Sequence, residues 1–150
     1  MQGAKRWLVV VVSVLALGLA GCEGQSEVER GEHTIYVHRG SLLPRGGEDA
    51  LIEGALVTRD GCVLIDQGGG FDIAFPVIWP SGTSIASEDP LTLRLRSGDE
   101  LVVGQVVSGG GGYHGAASDH VQVAIPAACV PETGEVAIFN PGADLTVEPG

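Results

Sequence analysis

One lysine, Lys5, stands in the whole chain, and only 5% of its residues are aromatic. Beyond residue 21 no window offers the sustained i, i+3, i+4, i+7 apolar pattern of a real helix, which excludes a helical bundle. The sequence contains no Gly-Lys-Ser or Gly-Lys-Thr, so a phosphate-cradling P-loop is excluded as well. Neither Cys-x-x-Cys nor a cysteine spaced with histidine occurs, which argues against a thiolate metal site or a catalytic thiol. Cations are scarce: 8 Lys and Arg face 19 Asp and Glu, a net charge of −11. Such a surface repels nucleic acid and anionic headgroups alike and favours cationic partners.

What is present begins with an address. Lys5 and Arg6 precede an apolar segment from Trp7 to Ala20, followed by Gly21 and Cys22. Basic residues, an apolar core and small residues before a break are the layout of an export signal. About fourteen residues at roughly 1.5 Å each make a helix of some 21 Å, too short for a ~30 Å hydrocarbon core. Leu19-Ala20-Gly21-Cys22 resembles the lipobox of bacterial lipoproteins. That resemblance implies a diacylglyceryl group on the Cys22 thiol, cleavage just before it and acylation of the new N-terminus. Two or three acyl chains hold a protein stably where one does not. The expected protein is therefore attached to the membrane through its N-terminal lipid, on the extracytoplasmic face of the cell membrane. Cleavage removes Lys5 and Arg6 and no acid, so the net charge falls from −11 to −13 and arginine becomes the only strong cation.

Three regions are expected: residues 1–21 as a lipoprotein signal peptide, 22–32 as the lipidated cysteine and a linker, and 33–150 as a single β domain. The stretch Glu23 to Glu32 is charged and nearly devoid of apolar side chains, which predicts a flexible linker spanning on the order of 18 Å. Of the three cysteines, Cys22 goes to lipid and leaves Cys62 and Cys129 to pair in an oxidising compartment. The closed loop of roughly 68 residues would restrict the unfolded chain by about 4 kcal/mol.

Downstream, 24 glycines and 8 prolines punctuate short β-rich runs. Thr34 to His38 reads as a strand, and two apolar runs flanking Asp60-Gly61 read as a hairpin. Phe71 to Trp79 carries Pro76, which points to an edge or a bent strand. Leu91 to Arg96 alternates strictly, as a half-buried strand does. Gly104 marks a bulge or corner within Leu101 to Val107, and Ser108 to Ser118, with four consecutive glycines, reads as a loop. Val121 to Ile125 alternates again, and Glu135 to Asn140 forms the last run. The fold class is all-β: a small barrel, OB-like, or a sandwich of about seven short strands with one disulfide.

Chemistry is thin. Gly110-x-Gly112-x-x-Gly115 spells a dinucleotide fingerprint, but a strand follows where a helix is required, so no cofactor is expected. Ser118-Asp119-His120 holds the three residue types of a hydrolase triad, yet neighbours on a strand point to opposite faces. Trp79 suits the core. Tyr113, beside the glycine run, suits a contact surface because Tyr buries large area at small entropic cost. The expected contact set is Gly110, Gly111, Gly112, Tyr113 and His114, with no metal site. The reading is a binding or interaction module for an envelope protein or a cell-wall ligand, with no nucleic-acid partner, rather than an enzyme. The alternative is a metal-dependent or hydrolytic envelope enzyme using His114, Asp119 and His120. The runs Gly54 to Val57, Gly61 to Ile65, Val77 to Pro80, Gly109 to His114 and Ile125 to Pro131 also resemble small uncharacterised lipoproteins of high-GC Gram-positive bacteria. That likeness carries no known activity and assigns no residue a role.

Overall fold

The computed structural model describes residues 24–40, 47–68 and 73–149. The signal-like segment, Cys22 and the glycine breaks at Gly46 and Gly69-Gly70 lie outside them. Eleven strands run in order: β1 (Gly24–Arg30), β2 (His33–Arg39), β3 (Ala50–Arg59), β4 (Cys62–Asp66), β5 (Ala74–Trp79), β6 (Ser84–Glu88), β7 (Leu91–Arg94), β8 (Glu100–Val102), β9 (Val106–Gly115), β10 (Glu135–Phe139) and β11 (Thr146–Val147). Five of them close a ring. β3 pairs with β4, β4 with β5, β5 with β10, β10 with β9, and β9 returns to β3. All of these pairings are antiparallel except β5 with β10. The result is a small, OB-like Greek-key barrel.

Local chemistry explains the individual pieces. Asp60 and Gly61, at φ 50° and 82°, make the tight turn between β3 and β4 that the Asp-Gly pair predicts. Pro76 sits where β5 changes neighbour, pairing with Leu64 of β4 before Ile78 and Trp79 pair with Tyr36 and Val37 of β2. A missing amide is tolerated at such a bend. Thus β5 is bent but central, with β10 along its other side, rather than an edge strand.

Alternation then sorts the side chains. Ile52, Leu56, Val63, Ile65, Phe75, Val77, Trp79, Val107, Ala137 and Phe139 fill the interior. Trp79 and Phe139 pack with ring centroids 5.5 Å apart. One end is closed by the three-stranded sheet β6-β7-β8, where Leu91, Leu93, Leu95 and Leu101 join the same core. Gly104, at φ 94°, turns the chain from this small sheet into the barrel, the corner its position predicts.

Three sequence expectations change. The charged stretch read as linker is strand β1 from Gly24 onward, paired with β2 over its full length. Most of its residues bury little, and the ladder holds them together with Val28 packed on the core and Arg30 bonded to Ile85 and Ala86 of β6. Ser108 to Gly115, read as loop, belongs to β9 in the middle of the ring. Val121 to Ile125, read as a strand, keeps its alternation in burial but joins no ladder. These changes, with β6, β11 and the split of residues 101–107 between β8 and β9, carry the strand number from about seven to eleven.

Candidate functional site

Interior geometry settles the place of the glycine run. Gly111 faces Ile52 and Phe139, and a Cβ there would overlap the Ile138 carbonyl oxygen. At Gly112 a Cβ would collide with the Glu48 carboxylate, which crosses the outer face. Gly110 is half-buried and Gly111 and Gly112 are buried, so the run serves close packing within the sheet. Tyr113 turns inward: its ring lies 5.1 Å from that of Phe75, and its hydroxyl accepts a hydrogen bond from Gln67 Nε2. Burial raises the phenol above its ordinary range, opposed by the Gln67 bond and aided by the Glu135 charge, so the hydroxyl stays protonated near neutrality.

His114 points outward. Its Nε2 lies 2.7 Å from Glu48 Oε2, and its ring stacks on His120 with centroids 4.0 Å apart and planes 24° from parallel. Glu48, His114 and His120 therefore meet, from three separate segments. Asp119 is exposed beside them, and Ser118 Oγ is buried without a hydrogen bond. The serine, aspartate and histidine of residues 118–120 thus form no hydrogen-bonded relay among the described residues. No group of three His, Cys, Asp or Glu among the described residues is placed to hold a metal ion.

A second region was not legible as a site. Residues 116–134 leave β9, cross the outside of the barrel and return to β10, forming a strap. Val121, Val123 and Ile125 pack on Tyr36, Ile78, Val136 and Ile138. Further along, a short 3-10 turn at Ala127–Cys129 brings Cys129 to Cys62 at the start of β4, and the disulfide joins them with Cα atoms 5.6 Å apart. Between this end of the strap and the β4–β5 face lies a groove of about 490 Å³. Leu64, Ile73, Ala74, Ala128, Val130, Pro131 and the disulfide make its apolar wall. Asp60, Glu132, Thr133 and Arg59 stand at its polar margin. Arg59 is committed to Asp66 at 2.6 Å, whereas Asp60 and Glu132 make no ion pair with a described residue. The only sequence signal for this place was the cysteine pair itself.

Fold and groove together define a closed five-stranded β-barrel with a disulfide-pinned strap. No family model matches the chain, and no curated protein or solved structure matches it either.

Proposed function

We propose that this is a lipid-anchored, extracytoplasmic binding module whose ligand lies in the groove between β4, β5 and the strap. The observation that carries the reading is the position of that groove. In five-stranded Greek-key barrels the second and third strands, with the loops joining strands one to two and four to five, form the usual ligand platform. Here those parts are β4, β5, the Asp60-Gly61 turn and the strap, and they line the groove. Its volume falls in the range of small-ligand sites. An apolar wall with carboxylates at its margin, on a protein of net charge −11, suits a ligand with an apolar body and a cationic group. The Cys62–Cys129 disulfide supports an oxidising compartment outside the cytoplasm. The lipobox-like Leu19 to Cys22 supports the anchor.

The test uses the purified full chain and two fluorescent tripeptides, one leucine-rich with lysine and its counterpart with glutamate. The lysine probe binds, the glutamate probe does not, and Asp60→Asn with Glu132→Gln weakens binding about fivefold, the scale of two partly exposed charge contacts. Equal binding of both probes, or none, overturns the ligand class. Anchoring is tested apart from it: Cys22→Ser protein should leave the membrane fraction.

A second reading, a hydrolytic enzyme, draws on the contact of His114 with Glu48 on one side and His120 on the other. Hydrolysis of a chromogenic ester or peptide by the purified protein, lost in His114→Ala, would favour it over the binding module.

A further inference from the structure

A lipid on Cys22, the attachment proposed above and the one on which this inference rests, would sit immediately beside the fold. β1 spans Gly24–Arg30, and in sequence Glu23 alone stands between Cys22 and Gly24. Two peptide units place the Cα atoms of Cys22 and Gly24 at most about 7 Å apart. Gly24 is held at this point. It pairs with Arg39 at the end of β2, the first of a continuous register that runs to Arg30 and His33.

The next residue fastens the same corner to the strap. Gln25 Nε2 donates to the His120 carbonyl oxygen at 2.6 Å, and Gln25 Oε1 accepts from the Gln122 N–H at 2.7 Å. Gly24 lies so close to this turn that a Cβ would stand 3.4 Å from Gln122 Oε1. The Gly24–Arg39 end of the β1–β2 ribbon and the turn at His120–Gln122 are thereby fastened to each other.

We infer that this corner is the membrane-facing surface of the protein, held against lipid headgroups by a tether of one residue. A linker through residue 32 would let the domain turn freely above the bilayer. A tether that ends at Gly24 fixes which face meets the lipid. The exposed cation there is Arg39, which makes no ion pair among the described residues and is free to meet a lipid phosphate. Glu27 and Asp119 are the neighbouring carboxylates on β1 and the strap, so the acyl chains rather than net charge supply the attachment.

The full-length lipidated protein in vesicles of phosphatidylethanolamine and phosphatidylglycerol, doped with nitroxide-labelled lipid, tests this. A fluorophore is placed on Gln122→Cys or on Glu32→Cys, the latter just past the far end of a strand that spans ~20 Å. Quenching is expected about threefold stronger at position 122 than at position 32, because it fades over distances shorter than that strand. Inserting about ten Gly and Ser residues after Glu23 should erase the difference, since such a linker lets the domain reorient. Intact mass reports the acyl groups on Cys22. Unmodified Cys22 overturns the anchoring reading itself. Acylated protein with equal quenching at both positions overturns the orientation alone.

Discussion

Strand β9 and the strap beyond it are adjacent in sequence and opposite in character. β9 contains four consecutive glycines, the residue least suited to a strand, yet it lies between β3 and β10 at the heart of the ring. The strap contains Val121-Gln122-Val123-Ala124-Ile125, a near-ideal strand sequence, and joins no ladder. Ladder membership here is decided by space. A narrow barrel filled by Ile52, Phe139 and Leu145 has no room for side chains at Gly109 and Gly111. The strap's alternation serves a different end: Val121, Val123 and Ile125 cover an apolar outer face of β5 and β10, while Gln122 and Ala124 meet solvent. β9 is held by ladders on both edges, the strap by three side chains, the two hydrogen bonds of Gln25 and one covalent bond.

The covalent bond offers the strongest way to break that contrast. Replacing Cys62 and Cys129 with alanine should cost about 4 kcal/mol in denaturant unfolding, the chain-entropy value for a loop of this length. Hydrogen exchange should then rise over residues 121–133 well before it rises over 107–113, because local opening begins in the least-bonded segment. Equal loss of protection in both would mean that the strap is as integral as the ring. Gly111→Ala comes next, at about 3 kcal/mol, since its methyl meets a backbone carbonyl that cannot move aside. Gly115→Ala, with nothing within 4 Å of its Cβ, is the control and should change stability little. Similar costs at the two positions would show that backbone entropy rather than space decides the glycines.

Legibility in the sequence depended on the distance over which each feature is decided. The β3–β4 hairpin was readable because Asp60 and Gly61 carry their own turn geometry. The leucine face of residues 91–95 was readable because Leu91, Leu93 and Leu95 bury together against the barrel. β9 was not, because the reason for Gly111 lies in the Ile138 carbonyl, 27 residues later. β1 was not, because charged residues such as Glu27 and Glu29 are held by backbone pairing with Tyr36 and Thr34 and bury little surface. The groove escaped for the same reason as β9: Leu64 and Ala74 meet Val130 and Pro131 only once the ring has closed. Tyr113 was read as a contact residue beside the glycine run, whereas its ring packs on Phe75 at the interior.

The strap's side chains sharpen the contrast at a smaller scale. Val123→Ala removes part of a half-buried contact with the outer face of β5 and β10 and should cost about 1 kcal/mol. Ala124→Ser, one residue on and facing solvent, should be nearly neutral in the same unfolding experiment. A cost at Ala124 as large as at Val123 would mean that the alternation is not what seats the strap.

The smallest effect separates ribbon from barrel by pH. His38 of β2 is half-buried, with Nε2 2.9 Å from the Phe139 carbonyl oxygen of β10. Desolvation lowers its pKa below the ordinary 6.5, and the bond to the carbonyl only partly offsets that. A histidine whose folded pKa is depressed takes up its proton more readily in the unfolded chain. Its contribution to stability is therefore present above the unfolded value of 6.5 and lost as pH falls through the folded pKa. Unfolding at pH 7 and pH 5 should show a decline in the native protein that is smaller in His38→Gln, where no proton is gained. An unchanged slope would mean that protonated His38 is accommodated where β2 meets β10, and that this junction yields as readily as the strap.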